Sequence, residues 1–129
     1  GFIPVDRGDS SKARNTFAAA RERLGRGTSV LLFPEGGRSL DGLLHPFQRG
    51  GLLLALKTGL PIVPVGIRGT LGRQRRGSFK IHPGRVSVHY GEPIDPAEYG
   101  IRGRRELEEE LRRRIEELAA TGSSDEVVR

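Results

Sequence analysis

The sequence predicts an α/β domain built on a mostly parallel sheet flanked by helices. Three observations carry this expectation. Short apolar runs alternate with segments of helical period in the order strand, helix, strand, helix, strand. The connections after the strands are dense in Gly and Pro, the residues that turn a chain sharply. At 129 residues with 35% hydrophobic content, the chain has room for one modest core.

Residues 2–5 read as a short apolar strand, ended by Asp6, Arg7 and Gly8. Asp9 or Ser10 then caps a helix over residues 11–24, because Ala13, Phe17, Ala20 and Leu24 fall on one helical face. Gly25 stops it. Residues 29–33 form an apolar run too short for a helix and read as a buried parallel strand. A loop from Pro34 to Pro46 leads to a second helix over residues 47–58, apolar on most sides and therefore expected to be largely buried. Residues 62–67 read as the next strand. Pro64 and Gly66 suit its centre poorly, so an edge, a bend or a close contact is expected there. Residues 85–90 alternate in polarity and read as a further strand. The last helix spans residues 104–120, with Leu107, Leu111, Ile115 and Leu118 as its apolar stripe. Its other faces mix Arg and Glu in nearly equal number, a solvated surface with pairs four residues apart. Residues 1–120 are thus expected to form one domain, and 121–129 a disordered tail.

Composition narrows the chemistry. Cys is absent, which excludes disulfides, zinc–thiolate sites and thiol nucleophiles. The three histidines show no metal-ligand spacing. No apolar run reaches the roughly 18 residues of a transmembrane helix. Met is absent too, and the first residues read as a strand, so residue 1 is expected to be an internal point of a longer chain. Net charge is +6. The stretch 68–85 carries an equal excess by itself, in Arg68, Arg73, Arg75, Arg76, Lys80 and Arg85, without an acid. Such a patch suits phosphate groups: lipid headgroups, coenzyme A, an acidic carrier protein or nucleic acid. Against nucleic acid, aromatics make up only 5% of the chain, and of them only Phe79 lies in the patch.

In open parallel sheets ligands gather beyond the carboxyl ends of the strands. Arg7, the loop from Pro34 and the basic stretch all follow strands and are expected on one edge. Within the loop, Gly36 and Gly37 let the backbone aim N–H groups at a ligand, and Arg38 can hold a phosphate through two hydrogen bonds. Ser39 adds a hydroxyl. Glu35 can accept from a ligand hydroxyl or orient Arg38. The residues alone leave two readings open: a grip for a phosphorylated polyol, or a plain strand-to-helix turn with a surface Arg. Arg7 is likewise either a second arm on that phosphate or a partner of Asp6.

The motifs resemble those of the 1-acyl-glycerol-3-phosphate acyltransferase family. Residues 1–7 (Gly-Phe-Ile-Pro-Val-Asp-Arg) resemble its second conserved block, and residues 33–39 (Phe-Pro-Glu-Gly-Gly-Arg-Ser) its third. Residues 62–67 (Ile-Val-Pro-Val-Gly-Ile) resemble its fourth block, and residues 83–94 its later region, so the resemblance covers residues 1–118. It implies a glycerolipid acyltransferase-like fold. The implied reaction moves a fatty acyl group from acyl-coenzyme A or acyl carrier protein to lysophosphatidate, giving phosphatidic acid, with no bound cofactor. It further implies that Arg7, Glu35, Gly36, Gly37, Arg38 and Ser39 bind the acceptor. Val63, Pro64 and Val65 would lie near the acyl chain. The implied location is peripheral, on the cytoplasmic face of a membrane. In two places the chain departs from the pattern: Gly37 replaces the usual Thr, and Gln48 stands where Lys is common, beside Arg49.

The family's first block is His-x-x-x-x-Asp, whose His serves as general base. Five residues after His45, His82 and His89 stand Gly50, Ser87 and Ile94, so the block is absent here and is expected upstream. Loss of a base costs about 10²–10⁴-fold or more. The 129 residues alone are therefore expected to be nearly inactive. His45 reads as a loop residue, His82 as exposed, and His89 as structural. The other open possibility is a non-catalytic protein that binds lysophospholipid or phosphate.

Overall fold

The computed structural model describes residue 3 and residues 10–74 and 79–120, with residues 10–14 described by backbone only. In chain order the elements are α1 (Ser10–Gly25), α2 (Arg49–Thr58), β1 (Val65–Arg68), β2 (Ser87–Tyr90), a short 3₁₀ turn (Pro96–Glu98) and α3 (Arg104–Ala120).

The helices form where the apolar period and the stop residues place them. In α1, Ala20 is buried, and Phe17 lies 5.2 Å beneath the Lys57 ammonium of α2. Helix α2 ends at Gly59, whose φ of +65° is open to glycine and strained for other residues. There the Gly59 N–H donates to the Ala55 carbonyl at 2.9 Å, and Pro61 prevents further helix. Only Leu52 and Leu54 of α2 are buried. The helix is half-covered, not enclosed as its composition suggested. On α3, Leu107 and Leu111 are buried, and Ile115 packs beside them. Its polar face is the expected ionic lattice: Arg113 bridges Glu110 at 2.8 Å and Glu117 at 2.7 Å, and Arg114 reaches Glu110 at 2.6 Å. These two guanidiniums hold the Glu110 carboxyl down to about 2.

The sheet of the described residues differs from the parallel architecture expected above. Among the described residues it has two strands, β1 and β2, and they run antiparallel, with Val65 opposite Tyr90 and Arg68 opposite Ser87. A bridge between Ile62 and Ile94 and the bond from Gly91 N–H to the Pro64 carbonyl prolong the pairing. The physical reason lies in the connection. A parallel return needs a long crossover, usually helical. Residues 69–86 contain Gly69, Gly72, Gly77, Pro83 and Gly84, which cannot sustain a helix. Its described parts, residues 69–74 and 79–86, come together instead, the His82 N–H meeting the Arg73 carbonyl at 2.7 Å. Residues 29–33 are not a strand either, and Leu31 (73%) and Phe33 (66%) are largely exposed. An apolar run states a preference for burial, but a strand needs a ladder partner, and none stands beside these residues among those described. The strand expected at 2–5 lies outside the described residues, Ile3 apart, as does the tail at 121–129.

Helix α3 lies directly over β1, and Gly66 explains how. A Cβ there would come within 2.6 Å of the Leu118 side chain and the Ala119 nitrogen, so only glycine admits the helix at this distance. The close contact expected for Pro64 and Gly66 is thus present, and Pro64 is fully buried. His89, paired with Gly66, has its Nε2 buried without a hydrogen-bond partner among the described residues. The core gathers Phe47, Leu52, Ile94, Leu107 and Leu111. Phe47 thereby fastens the end of the loop that carries the most informative motif.

Candidate functional site

The loop over residues 34–48 is closed at its neck, where the Gln48 N–H donates to the Pro34 carbonyl at 2.7 Å. It opens with a tight turn in which the Gly36 N–H meets the Phe33 carbonyl at 3.0 Å. Pro34 supplies the fixed φ of the second position. Gly36, at φ +69°, leaves the turn in the left-handed region. The sequence thus dictates the turn that sends Gly37 and Arg38 outward, both exposed.

Carboxylates hold the loop from inside. Glu35 Oε2 accepts the His45 backbone N–H at 2.9 Å, spanning the loop. Asp41 Oδ1 accepts the Ser39 hydroxyl at 2.8 Å and the Leu43 N–H at 3.0 Å, and lies 3.0 Å from His45 Nε2. The Ser39 oxygen in turn accepts the Gly42 N–H at 2.9 Å. The Leu43 N–H first, then the Ser39 hydroxyl and His45, hold the Asp41 carboxyl down to about 2 from its ordinary 3.8. A carboxylate whose pKa is lowered by folding contributes stability that is complete above its unfolded value and lost as it is protonated. The loop is therefore expected to loosen as pH falls from about 3.8 toward about 2. Hydrogen exchange of the Gly42 and Leu43 amides checks this. Asp41→Asn is expected to speed that exchange already at neutral pH and to remove its acid-range step.

The third support comes from α3. Arg112 Nη1 donates to the His45 carbonyl at 2.7 Å and Nη2 to the Leu44 carbonyl at 2.9 Å. Its guanidinium rests 5.4 Å from the Phe47 ring centroid. The basic stretch meets the loop on another side. Arg38 Nη1 lies 3.5 Å from Gln74 Oε1, and a Cβ at Gly42 would come 3.0 Å from the Leu71 side chain. Of the three segments expected to gather, the loop and the basic stretch do meet, though not at the ends of parallel strands, and Arg7 lies outside the described residues.

The structure thus brings Glu35, Gly36, Gly37, Arg38 and Ser39 into one turn. Arg38 is the exposed cation. Glu35 and the Ser39 hydroxyl are engaged within the loop. Arg7 lies outside the described residues. Pro64 is buried between β1 and Gly91, while Val63 is half-exposed. Within the basic stretch, Arg73 turns inward to the Gly69 and Pro83 carbonyls; Arg75 and Arg76 lie outside the described residues. Sequence reasoning passed over Asp41, His45 as its partner, and Arg112. The Ser-x-Asp-Gly pattern at 39–42 is a turn signal that identifies Asp41. Among the described residues, no group of His, Asp and Glu is arranged to hold a metal ion, and no helix is long and apolar enough to cross a membrane.

Comparison with known proteins agrees with these motifs. Residues 1–68 match the family model described as Acyltransferase. The chain is 37% identical over 100 residues to a 1-acyl-sn-glycerol-3-phosphate acyltransferase of Limnanthes douglasii, covering 77% of this chain and 36% of that protein. It is 34% identical over 121 residues to the enzyme of that name from Salmonella typhimurium, covering 93% of this chain and 49% of that protein. Its fold matches the crystal structure of the 1-acyl-sn-glycerophosphate acyltransferase PlsC from Thermotoga maritima, at a TM-score of 0.71 and 37% identity, over 84% of this chain and 46% of that one. The chain therefore spans between about a third and a half of the length of these relatives. With the family model matched over more than half its length and the loop motif folded into a single turn, the chain belongs to the acyltransferase family, and its relatives there are 1-acyl-sn-glycerol-3-phosphate acyltransferases.

Proposed function

We propose that this chain is the acceptor-binding part of an acyltransferase of phospholipid synthesis, taking 1-acyl-glycerol-3-phosphate as acceptor and yielding phosphatidic acid. The acyl donor is a thioester, acyl-coenzyme A or acyl carrier protein. In the reaction the acceptor hydroxyl oxygen bonds to the thioester carbonyl carbon, the carbon–sulfur bond breaks, and the hydroxyl proton passes to the departing thiolate. The observation that carries this reading is the turn at 35–39. It presents Arg38 and the Gly37 backbone to solvent while Glu35 and Asp41 brace it from within. Arg7, from the neighbouring family block, is the second cation on the same phosphate in this proposal. None of the three histidines has an aspartate five positions on, so in this proposal the part of the turn at 35–39 is to bind the acceptor and not to deprotonate it.

This proposal places the chain peripherally on the cytoplasmic face of a membrane, where such an acceptor resides, and the surroundings of the loop support contact with a lipid surface. Leu40, Leu43, Leu71, Phe79 and Ile81 are all exposed, and Phe79 almost completely. Leu71, Phe79 and Ile81 belong to the basic stretch, whose Leu71 meets the loop at Gly42, a combination suited to an anionic lipid surface at about 1 kcal/mol per engaged cation. The test is a binding titration of sn-glycerol 3-phosphate to the 129-residue chain, beside an acyl-transfer assay on the same material. Saturable binding with background transfer is expected. Absence of binding would end the reading, and rapid transfer would make a residue of this chain, foremost His45 with Asp41, the base.

A further inference from the structure

We propose that Arg112 is a positioning residue for the phosphate loop: α3, which lies beyond the residues matched by the family model, fixes through this one side chain the shape in which the turn at 35–39 meets its ligand. The proposal rests on the reading of that turn as a phosphate grip, but the hold on the loop stands on geometry alone.

A guanidinium is a planar fork, and its two terminal nitrogens point in one plane. Here they take the carbonyls of successive residues, His45 at 2.7 Å and Leu44 at 2.9 Å. In regular extended backbone, successive carbonyls point to opposite sides, so the bidentate bond holds residues 44–45 out of that regular form. Phe47, buried in the core, floors the guanidinium at 5.4 Å, and Glu116 Oε1 lies 3.6 Å from Nη2. Arg112 is thereby held from both sides, by Glu116 on its own helix and by Phe47 at the end of the loop.

The residue so held is the junction of the loop's internal bonds. The His45 N–H donates to Glu35, which precedes Gly36, and the His45 ring meets Asp41, which receives the Ser39 hydroxyl. From Arg112 the constraint passes through one residue to both ends of the motif. A loop already in its bound shape does not lose that ordering entropy when the ligand arrives, and affinity rises accordingly. Arg113, the next residue, makes the opposite case. Its partners are Glu110 and Glu117 on α3 itself.

The experiment uses the labelled 129-residue chain with Arg112→Gln, Arg112→Lys and, as control, Arg113→Gln. It reads amide exchange by NMR and the Kd for sn-glycerol 3-phosphate. In Arg112→Gln, the Gly42, Leu43 and His45 amides are expected to exchange about tenfold faster while those of Leu107 and Leu111 stay as they were. The Kd is expected to rise about tenfold, on the order of one lost charge-assisted bond. Arg112→Lys, whose ammonium reaches one carbonyl at a time, is expected to fall between, and Arg113→Gln to change neither reading. Unchanged loop exchange, or exchange quickened equally throughout the chain, would overturn the proposal. So would faster loop exchange with an unaltered Kd. If the unmodified chain binds no glycerol 3-phosphate, the phosphate reading fails, while the exchange rates still decide whether Arg112 holds the loop.

Discussion

Replacing Arg38 with Ala is expected to weaken binding of sn-glycerol 3-phosphate by about 10²-fold or more. A guanidinium facing a phosphate makes two charge-assisted hydrogen bonds, each about 1.5–3 kcal/mol, and each 1.4 kcal/mol is a factor of ten. Arg38 is exposed, so solvent screening keeps the expected loss toward the lower end. Arg38→Lys is expected to recover only part of it, because an ammonium offers a point charge where the turn presents a fork. Among the described residues the side chain's hydrogen bond is a long one, to Gln74 at 3.5 Å, so the melting temperature should hold while the affinity collapses. Calorimetric titration beside a thermal melt separates the two. A variant with undiminished affinity would show that the turn is only a turn.

Leu107→Ala acts through the opposite route. Leu107 is wholly buried, at 0% exposure, and packs among Phe47, Leu52, Ile94 and Leu111. Truncation removes buried methyl groups and leaves a cavity, for a loss of about 2–5 kcal/mol. Against a typical total of about 5–15 kcal/mol this is severe, and the melting temperature should drop by roughly 10 °C. Denaturant unfolding should show a lower midpoint at unchanged slope. Phosphate binding should weaken as well, since Phe47 ends the loop and loses a neighbour. A midpoint shift worth less than about 0.5 kcal/mol would mean that α3 is not seated on this core.

The three helices were legible because their signals are local. Apolar residues recur at helical spacing, and Gly25 and Gly59 stand where α1 and α2 end. The direction of the strands was not local. The run at 62–67 is compatible with a parallel or an antiparallel neighbour, and the glycines of 69–86, which decide for the antiparallel return, carry no signal of direction by themselves. Residues 29–33 show the same limit from the other side, since an apolar run cannot name its own partner. The motif at 33–39 was legible because a tight turn needs Pro and Gly at set places. Its supports were less so. Asp41 could have been found from the turn pattern around it. Arg112 could not, because on sequence it is one more Arg in a helix of alternating charge, and only tertiary packing distinguishes it from Arg113. Arg7 lies outside the described residues, so its meeting with Arg38 stays within the proposal.

An amide NMR titration with sn-glycerol 3-phosphate, paired with the same titration by glycerol, asks directly whether the braced turn is a phosphate site. The largest shifts are expected at the amides of Gly36, Gly37, Arg38 and Ser39, with glycerol leaving them in place. Silence at those four amides, or an equal response to glycerol, would contradict it.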